Sequence, residues 1–172
     1  MQTDENTTKY IGIILLIGLI VATLVYTIPP VIDLAYASAY GKEDAGFTTI
    51  VLTTPDQYLQ LKDMNMSYSK NFIFQDSNII AQTKGTYKVS FSASVTASNN
   101  GEIGSKLFIN HIGQNNCYAH RDMAVGKTGN AGFNCIIDLN VGDYVNVQFD
   151  DHANPTATLT FESANLAINQ IG

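Results

Sequence analysis

The stretch from Ile11 to Ile28, IGIILLIGLIVATLVYTI, carries no charged side chain. An apolar run of about 18 residues is long enough to span a bilayer as a helix. Twelve of its 18 residues are Ile, Leu or Val. Each favours insertion by about 0.3–0.6 kcal/mol, which outweighs Gly12, Gly18, Thr23 and Thr27. Ile11, Leu15, Leu16, Leu19, Leu24 and Ile28 are the expected anchor residues. Tyr10 and Tyr26 stand near the two ends, where a phenol keeps its hydroxyl in water and its ring in lipid. Pro29-Pro30 ends or kinks the helix. The chain thus reads as a polar tail (1–9), a transmembrane helix (10–32), a short stalk (33–46) that starts helical, and a head (47–172).

Three other readings compete for this run. A signal peptide cut at Ala37-Ser38-Ala39 is one, although the apolar part exceeds the usual ~7–15 residues and Asp4, Glu5 and Lys9 precede it. A prepilin leader cut near Gly12 would need an acidic residue early in the apolar part. A buried core helix would need other helices around it. Retention of the segment makes a single-pass membrane protein. Lys9 and Lys42 give no useful charge bias across it. The short tail is therefore placed inside and the head outside, since long domains translocate largely regardless of charge.

The formal charge is −6 and the sequence pI about 4.8. Neutralising phosphates needs Lys and Arg, so nucleic acid is excluded as an expected partner. Only 14% of residues are charged, and Asn, Ser and Thr supply much of the polar surface, which suits an exterior protein. Cys117 and Cys135 both fall in the head and are a disulfide candidate in that setting. Two half-buried free thiols remain the alternative, because sequence does not give their Cα spacing.

Past Phe47 the apolar period becomes two. FTTIVLTT, YLQLK, FIF and NIIAQT read as short strands, broken at Pro55-Asp56. In TYKVSFSASV, Tyr87, Val89, Phe91, Ala93 and Val95 point one way, and Lys88 and the serines the other. KLFINHI follows the Asn99-Asn100-Gly101 turn. CYAHRDMAV reads as a poor edge strand, and Gly126–Gly132 as a loop. FNCIIDL puts Phe133, Cys135, Ile137 and Leu139 on one face. Asn140-Val141-Gly142-Asp143 is a tight turn before YVNVQF. ATLTFESANLAINQI closes the chain, with an irregularity at Ser163-Ala164. Eight or more short strands at this spacing predict an all-β, antiparallel two-sheet sandwich, with negligible helix beyond the membrane segment.

GTYKVSFSASV, KLFIN with its turn, IIDLNVGDYVNVQF and TLTFESANLAI, in that order, resemble the tumour-necrosis-factor-like jelly roll. They are closer to the globular heads of complement's first component and of collagen-like spore-surface glycoproteins. The recurring phrase of that family, a leucine, two residues, Gly-Asp and apolar alternation, is here Leu139 to Asp143, then Val145 and Val147. The resemblance covers roughly Phe47 to Ile171. It implies a homotrimer around a three-fold axis, with Phe108 and Tyr144 as interface candidates. Tail, helix, stalk and head in sequence also resemble the membrane layout of tumour-necrosis-factor ligands. The stalk has no Gly-X-Y repeat, so a monomeric head or a larger lattice stays open.

No catalytic constellation is evident, and no enzyme activity or cofactor is expected. Val125-Gly126-Lys127-Thr128 ends like a phosphate loop, but Arg121 occupies the place of its first glycine and no helix pattern follows. Cys117, His120, His111 and Cys135 make a poor zinc set beside a disulfide with surface histidines. Asp150 and Asp151, with His152 and Asn154, are calcium candidates on an oxygen-rich loop. Asn6 and Asn65 begin glycosylation sequons. The expected function is structural: a membrane-anchored head for adhesion, receptor binding or assembly on a cell or virion surface, as a spike or a membrane-linked capsid protein. Its partners would be the bilayer, copies of itself, and a protein or glycan receptor. A secreted or shed cytokine-like module and a pilin-like filament subunit are the alternatives.

Overall fold

The computed structural model describes residues 34–42, 49–152 and 156–172. The predicted anchor (10–32) and Asn154 lie outside the described residues. Among the described residues, no helix is long and apolar enough to cross a membrane, and the regular elements are strands.

Twelve strands are described: β1 (Tyr36–Lys42), β2 (Thr49–Leu52), β3 (Leu59–Gln60), β4 (Asn65–Lys70), β5 (Phe72–Gln75), β6 (Asn78–Ala81), β7 (Gly85–Ala97), β8 (Gly101–Ile109), β9 (Ile112–Met123), β10 (Thr128–Leu139), β11 (Tyr144–Asp151) and β12 (Ala157–Gln170). They form two six-stranded antiparallel sheets. Sheet A runs β10-β7-β12-β1-β4, with β2 also on β12. Sheet B runs β5-β6-β11-β8-β9, with β3 also on β11. This is the expected jelly-roll sandwich.

The alternating patterns decide which face each strand buries. Tyr87, Val89, Phe91, Ala93 and Val95 of β7 are all buried, as are Val145, Val147 and Phe149 of β11. Phe149 of sheet B meets Phe161 of sheet A at 4.8 Å between ring centroids, edge to face, and Phe91 at 5.9 Å. Phe91 continues the chain of rings to Phe133 at 5.4 Å. Such contacts add about 0.5–1.5 kcal/mol per pair beyond the area they bury. In β12 the register shifts between Phe161 and Ser163. That bulge keeps Leu159 and Phe161 on the same buried face as Leu166 and Ile168.

Two sequence readings need correction. The segment assigned to a stalk holds β1, which lies between β12 and β4 within sheet A. Its inward residues are Ala37 and Ala39 and its exposed ones Tyr36 and Tyr40. Pairing on both edges outweighs a weak apolar pattern. Gly126–Gly132 is largely strand, because Gly129 and Ala131 pair with Val95 and Ala93 and are buried. Only the turn remains, closed by Lys127 N–H donating to the Ala124 carbonyl at 3.1 Å, with Gly126 at φ 67°. The β5–β6 and β8–β9 hairpins turn through Asp76-Ser77 and Asn110-His111, each with both residues at positive φ. This is the turn whose twist matches that of paired strands.

Cys117 and Cys135 form a disulfide. It joins β9, the predicted edge strand, to β10, the edge of the other sheet. Asn116 Nδ2 donates to the Ile136 carbonyl at 2.8 Å, and Arg121 Nη1 to the Asn130 carbonyl at 3.1 Å. The open side of the sandwich is thus closed by one covalent and two polar cross-links. At the opposite end of β10, Asp143 caps the tight turn. Its Oδ2 accepts from Asn140 N–H at 2.7 Å and its Oδ1 from Asn110 Nδ2 at 2.7 Å. These bonds, the Asn140 amide first, hold the Asp143 carboxyl below its ordinary pKa.

Replacing both cysteines by serine removes a cross-link between residues 18 apart. The expected cost is about 3 kcal/mol from loop-closure entropy, read as a lower denaturant midpoint. Asp143→Ala should cost about 1 kcal/mol or less, because the carboxylate is largely solvated. A group whose native pKa is depressed stabilises the fold above its unfolded pKa and loses that contribution as pH falls. Unfolding curves of wild type and Asp143→Ala should therefore differ at neutral pH and converge in acid.

Candidate functional site

The densest grouping of polar and aromatic side chains lies on the outer face of sheet B. With Phe149 turned into the core, its neighbour Asp150 must face outward. Asp150 pairs with Gly104 of β8, and Gly104 with His120 of β9. Lys106 of β8 stands between Gln148 and Tyr118 in the next outward row. Tyr58 precedes β3. Lys106 Nζ lies 5.5 Å from the centroid of the Tyr58 ring and 5.3 Å from that of Tyr118. Those distances suit cation–π contact with both rings.

Asp150 is fully buried although it faces outward. The glycine at 104 makes this possible: a Cβ there would overlap the Asp150 carboxylate and crowd the Tyr118 ring. Neither oxygen of Asp150 receives a hydrogen bond of normal geometry. Its polar neighbours include His152 Nε2, 3.2 Å from Oδ2, and the Tyr58 hydroxyl. The same nitrogen lies 2.7 Å from Tyr118 Oη. On the other side of the ring, Nδ1 sits against Asp56 Oδ1. Backbone bonds place both partners: His152 N–H donates to the Glu102 carbonyl at 3.1 Å, and Asp56 N–H to the Asp151 carbonyl at 3.3 Å. Asp56 occupies the left-handed region, at φ 57°, which Asp tolerates better than most residues. Nearby, His120 Nδ1 lies 3.2 Å from Glu102 Oε1.

Burial raises the Asp150 pKa, and the charge of His152 offsets only part of that rise. Burial works to lower the His152 pKa, but the hydrogen bond to Asp56 and the charges of Asp150, Asp56 and Glu102 overcome it and hold it above the ordinary value. Tyr58 and Tyr118 are both raised, first by burial and then by the Asp150 charge. The hydroxyl–imidazole–carboxylate line from Tyr118 through His152 to Asp56 therefore runs against forming a phenolate. It can hold protons or a cation, and it does not activate a nucleophile.

The sequence candidates fall in different places. Asp150 and Asp151 are successive residues of one strand and do not share a face. Asp151 is buried and pairs in register with Ile103, beside the core. The group whose ligand atoms lie within 4.8 Å of one another is Asp56, Asp150 and His152. Phe108 and Tyr144 are half-buried on sheet B. Phe108 packs on Tyr58 at 5.2 Å, and Tyr144 on His111 at 5.4 Å. The disulfide takes Cys117 and Cys135 out of any zinc set. Sequence reasoning missed Asp56, Tyr58, Gly104 and Tyr118. Asp56 read only as a turn residue after Pro55, and nothing along the chain links these four positions.

The outer face of sheet A differs in character. Two adjacent rows cross it: Gly132–Ser92–Asn165–Tyr40–Asn65 and Asn134–Ser90–Ala167–Ser38–Tyr68. Neither row holds a charge. A shallow depression of about 470 Å³ opens on this face, lined by residues that include Tyr40, Ser92 and Asn165.

No family model matches the chain, and no curated protein matches it. Solved structures do. Murine APRIL, crystallised at pH 5.0, superposes with TM-score 0.53 and 10% identity, covering 81% of this chain and 100% of that one. The Eiger TNF of S. frugiperda gives 0.54 and 11%, covering 81% and 93%. The globular domain of the zebrafish complement 1qA protein gives 0.53 and 14%, covering 80% and 98%. At these identities the likeness establishes the fold alone: the described residues share the jelly-roll fold of these tumour-necrosis-factor-like and complement 1q-like structures.

Proposed function

We propose that this chain is an interaction protein whose jelly-roll head assembles as a trimer through the outer face of sheet A. Residues 10–32 tether it to a membrane, and sheet B with its loops faces a protein or glycan receptor. The observation that carries this reading is the pair of uncharged rows across sheet A. Ser, Ala, Gly and Asn there let a second backbone approach closely and leave no charge to desolvate, while Tyr40 and Tyr68 supply aromatic area of the kind enriched in interfaces. Phe108 and Tyr144 fit an interface less well, because their rings are already engaged within the chain. Trimeric heads on one surface would bind by avidity, with weak contacts multiplied by local concentration.

The place of β1 favours tethering over release at Ala39. Ala39 is fully buried and paired with Leu166 and Met66. A cut after it would take Tyr36–Ala39 out from between β12 and β4. Use on a cell surface and use on a virion remain equally served by this design.

The full-length chain in detergent should have the scattering mass of three protein chains. Ser90→Arg with Ala167→Arg, which puts two cations into the central row, should reduce that to one, while Phe108→Ala with Tyr144→Ala leaves it at three. The reverse pattern would move the interface to sheet B, and a monomeric wild type would reject self-association. Deleting residues 10–32 should shift the protein from the membrane pellet to the supernatant on fractionation.

A further inference from the structure

We infer that His152 is a pH-sensitive latch: as an imidazolium it pins the connection between β2 and β3 to the end of β11, and on losing a proton it lets that connection go. The ring is held between acceptors. Nδ1 sits against Asp56 Oδ1, and Nε2 lies 3.2 Å from Asp150 Oδ2 and 2.7 Å from Tyr118 Oη. An ionised carboxylate can only accept, and a neutral imidazole carries one N–H. Only the imidazolium donates to both carboxylates at once. The two differ in what they can do when one N–H goes. Asp150 is fully buried, and a carboxylate left there facing a lone pair is costly. The Asp56 side chain is 71% exposed and can turn to water. The remaining proton therefore stays on Nε2, and Asp56, facing the Nδ1 lone pair, moves into solvent.

The backbone holds the connection only weakly. Residues 53–57 are exposed, and the bonds from Asp56 N–H to the Asp151 carbonyl and from Gln57 N–H to the Thr54 carbonyl are long, at 3.3 and 3.4 Å. The connection ends in Tyr58, whose ring packs on Phe108 and Lys106, so the latch sets how much of the outer face of sheet B is covered. The titratable and charged groups around the ring are Asp56 and Tyr58 from the connection, Glu102 and Lys106 from β8, Tyr118 and His120 from β9, and Asp150 from β11, with Asp151 turned beside the core. Burial works to lower the His152 pKa, but the bond to Asp56 and the charges of Asp150, Asp56 and Glu102 hold it above the ordinary value. A group raised in this way stabilises the native contact below its unfolded pKa and loses that contribution as pH rises through its native pKa. The latch is thus closed in mild acid and opens upward through the His152 titration. The inference does not depend on the trimer or on the membrane anchor.

The test uses the full-length chain in detergent with carbon-13-labelled histidines. The His152 ring carbons should titrate above the ordinary histidine range. Across that titration, hydrogen-exchange protection of the Asp56 and Gln57 amides, corrected for intrinsic exchange, should fall about three- to fivefold as pH rises. His152→Gln should abolish the step. In Asp56→Asn the side-chain amide can accept from an Nδ1–H or donate to an Nδ1 lone pair. That variant should stay latched at both ends of the range, lose the step and titrate His152 at lower pH than wild type. His120→Ala should keep the step. The latch is refuted if wild-type protection does not change with pH, if the step survives in His152→Gln or Asp56→Asn, or if His120→Ala abolishes it.

Discussion

Phe149 meeting Phe91 and Phe161 across the sandwich is the contact on which the rest depends. It joins the middle of sheet B to the middle of sheet A in a fully buried position. A strand's side chains alternate with period two, so turning Phe149 inward leaves no freedom for its neighbours. Val145 and Val147 follow it into the core, and Gln148 and Asp150 go to the outer face. The polar cluster of sheet B is thus set by an apolar contact on the other side of the same strand. A register slip of one residue would put a carboxylate in the core and expose the phenyl ring.

The two outer faces then diverge because different residues fill the outward positions. On sheet B the outward rows collect Lys106, Tyr118, Asp150 and the adjoining His152; burial raises the pKa of Tyr118 and of Asp150, and the hydrogen bond to Asp56 with the neighbouring carboxylate charges raises that of His152. On sheet A the outward positions of β7, β10 and β12 are mostly Ser, Asn, Gly and Ala, with tyrosines from β1 and β4. One face concentrates electrostatic field, and the other is nearly free of it at its centre. The Cys117–Cys135 bridge holds the corresponding edges of the two sheets together, so neither face can open along β9 and β10.

Legibility followed the strength of alternation. β7, β10, β11 and β12 carry large inward side chains opposite small polar ones, and their buried residues could be named from the pattern. The resemblance of those same strands to the tumour-necrosis-factor-like and complement-head jelly roll matches the superposed folds. β1 and β4 were invisible for the opposite reason. In β1 the inward residues are alanines and the outward ones tyrosines, so hydropathy points the wrong way. In β4, Asn65 to Lys70 is mostly exposed and owes its strand conformation to pairing with β1. Gly129 and Ala131 have too little side chain to announce that they are buried.

By itself, the sequence determined the fold class, the inward face of the long strands, the pairing of the only two cysteines as a candidate, and a charge-free segment of membrane-spanning length. These are properties of local period, composition and run length, which need no knowledge of what lies across the core. Tertiary structure alone decided that Asp150 and Asp151 part company, that Asp56 arrives from nearly a hundred residues away to meet His152, and that Gly104 clears the space the Asp150 carboxylate occupies. Those facts depend on strand order and register across a sheet. No spacing along the chain encodes which strands become neighbours.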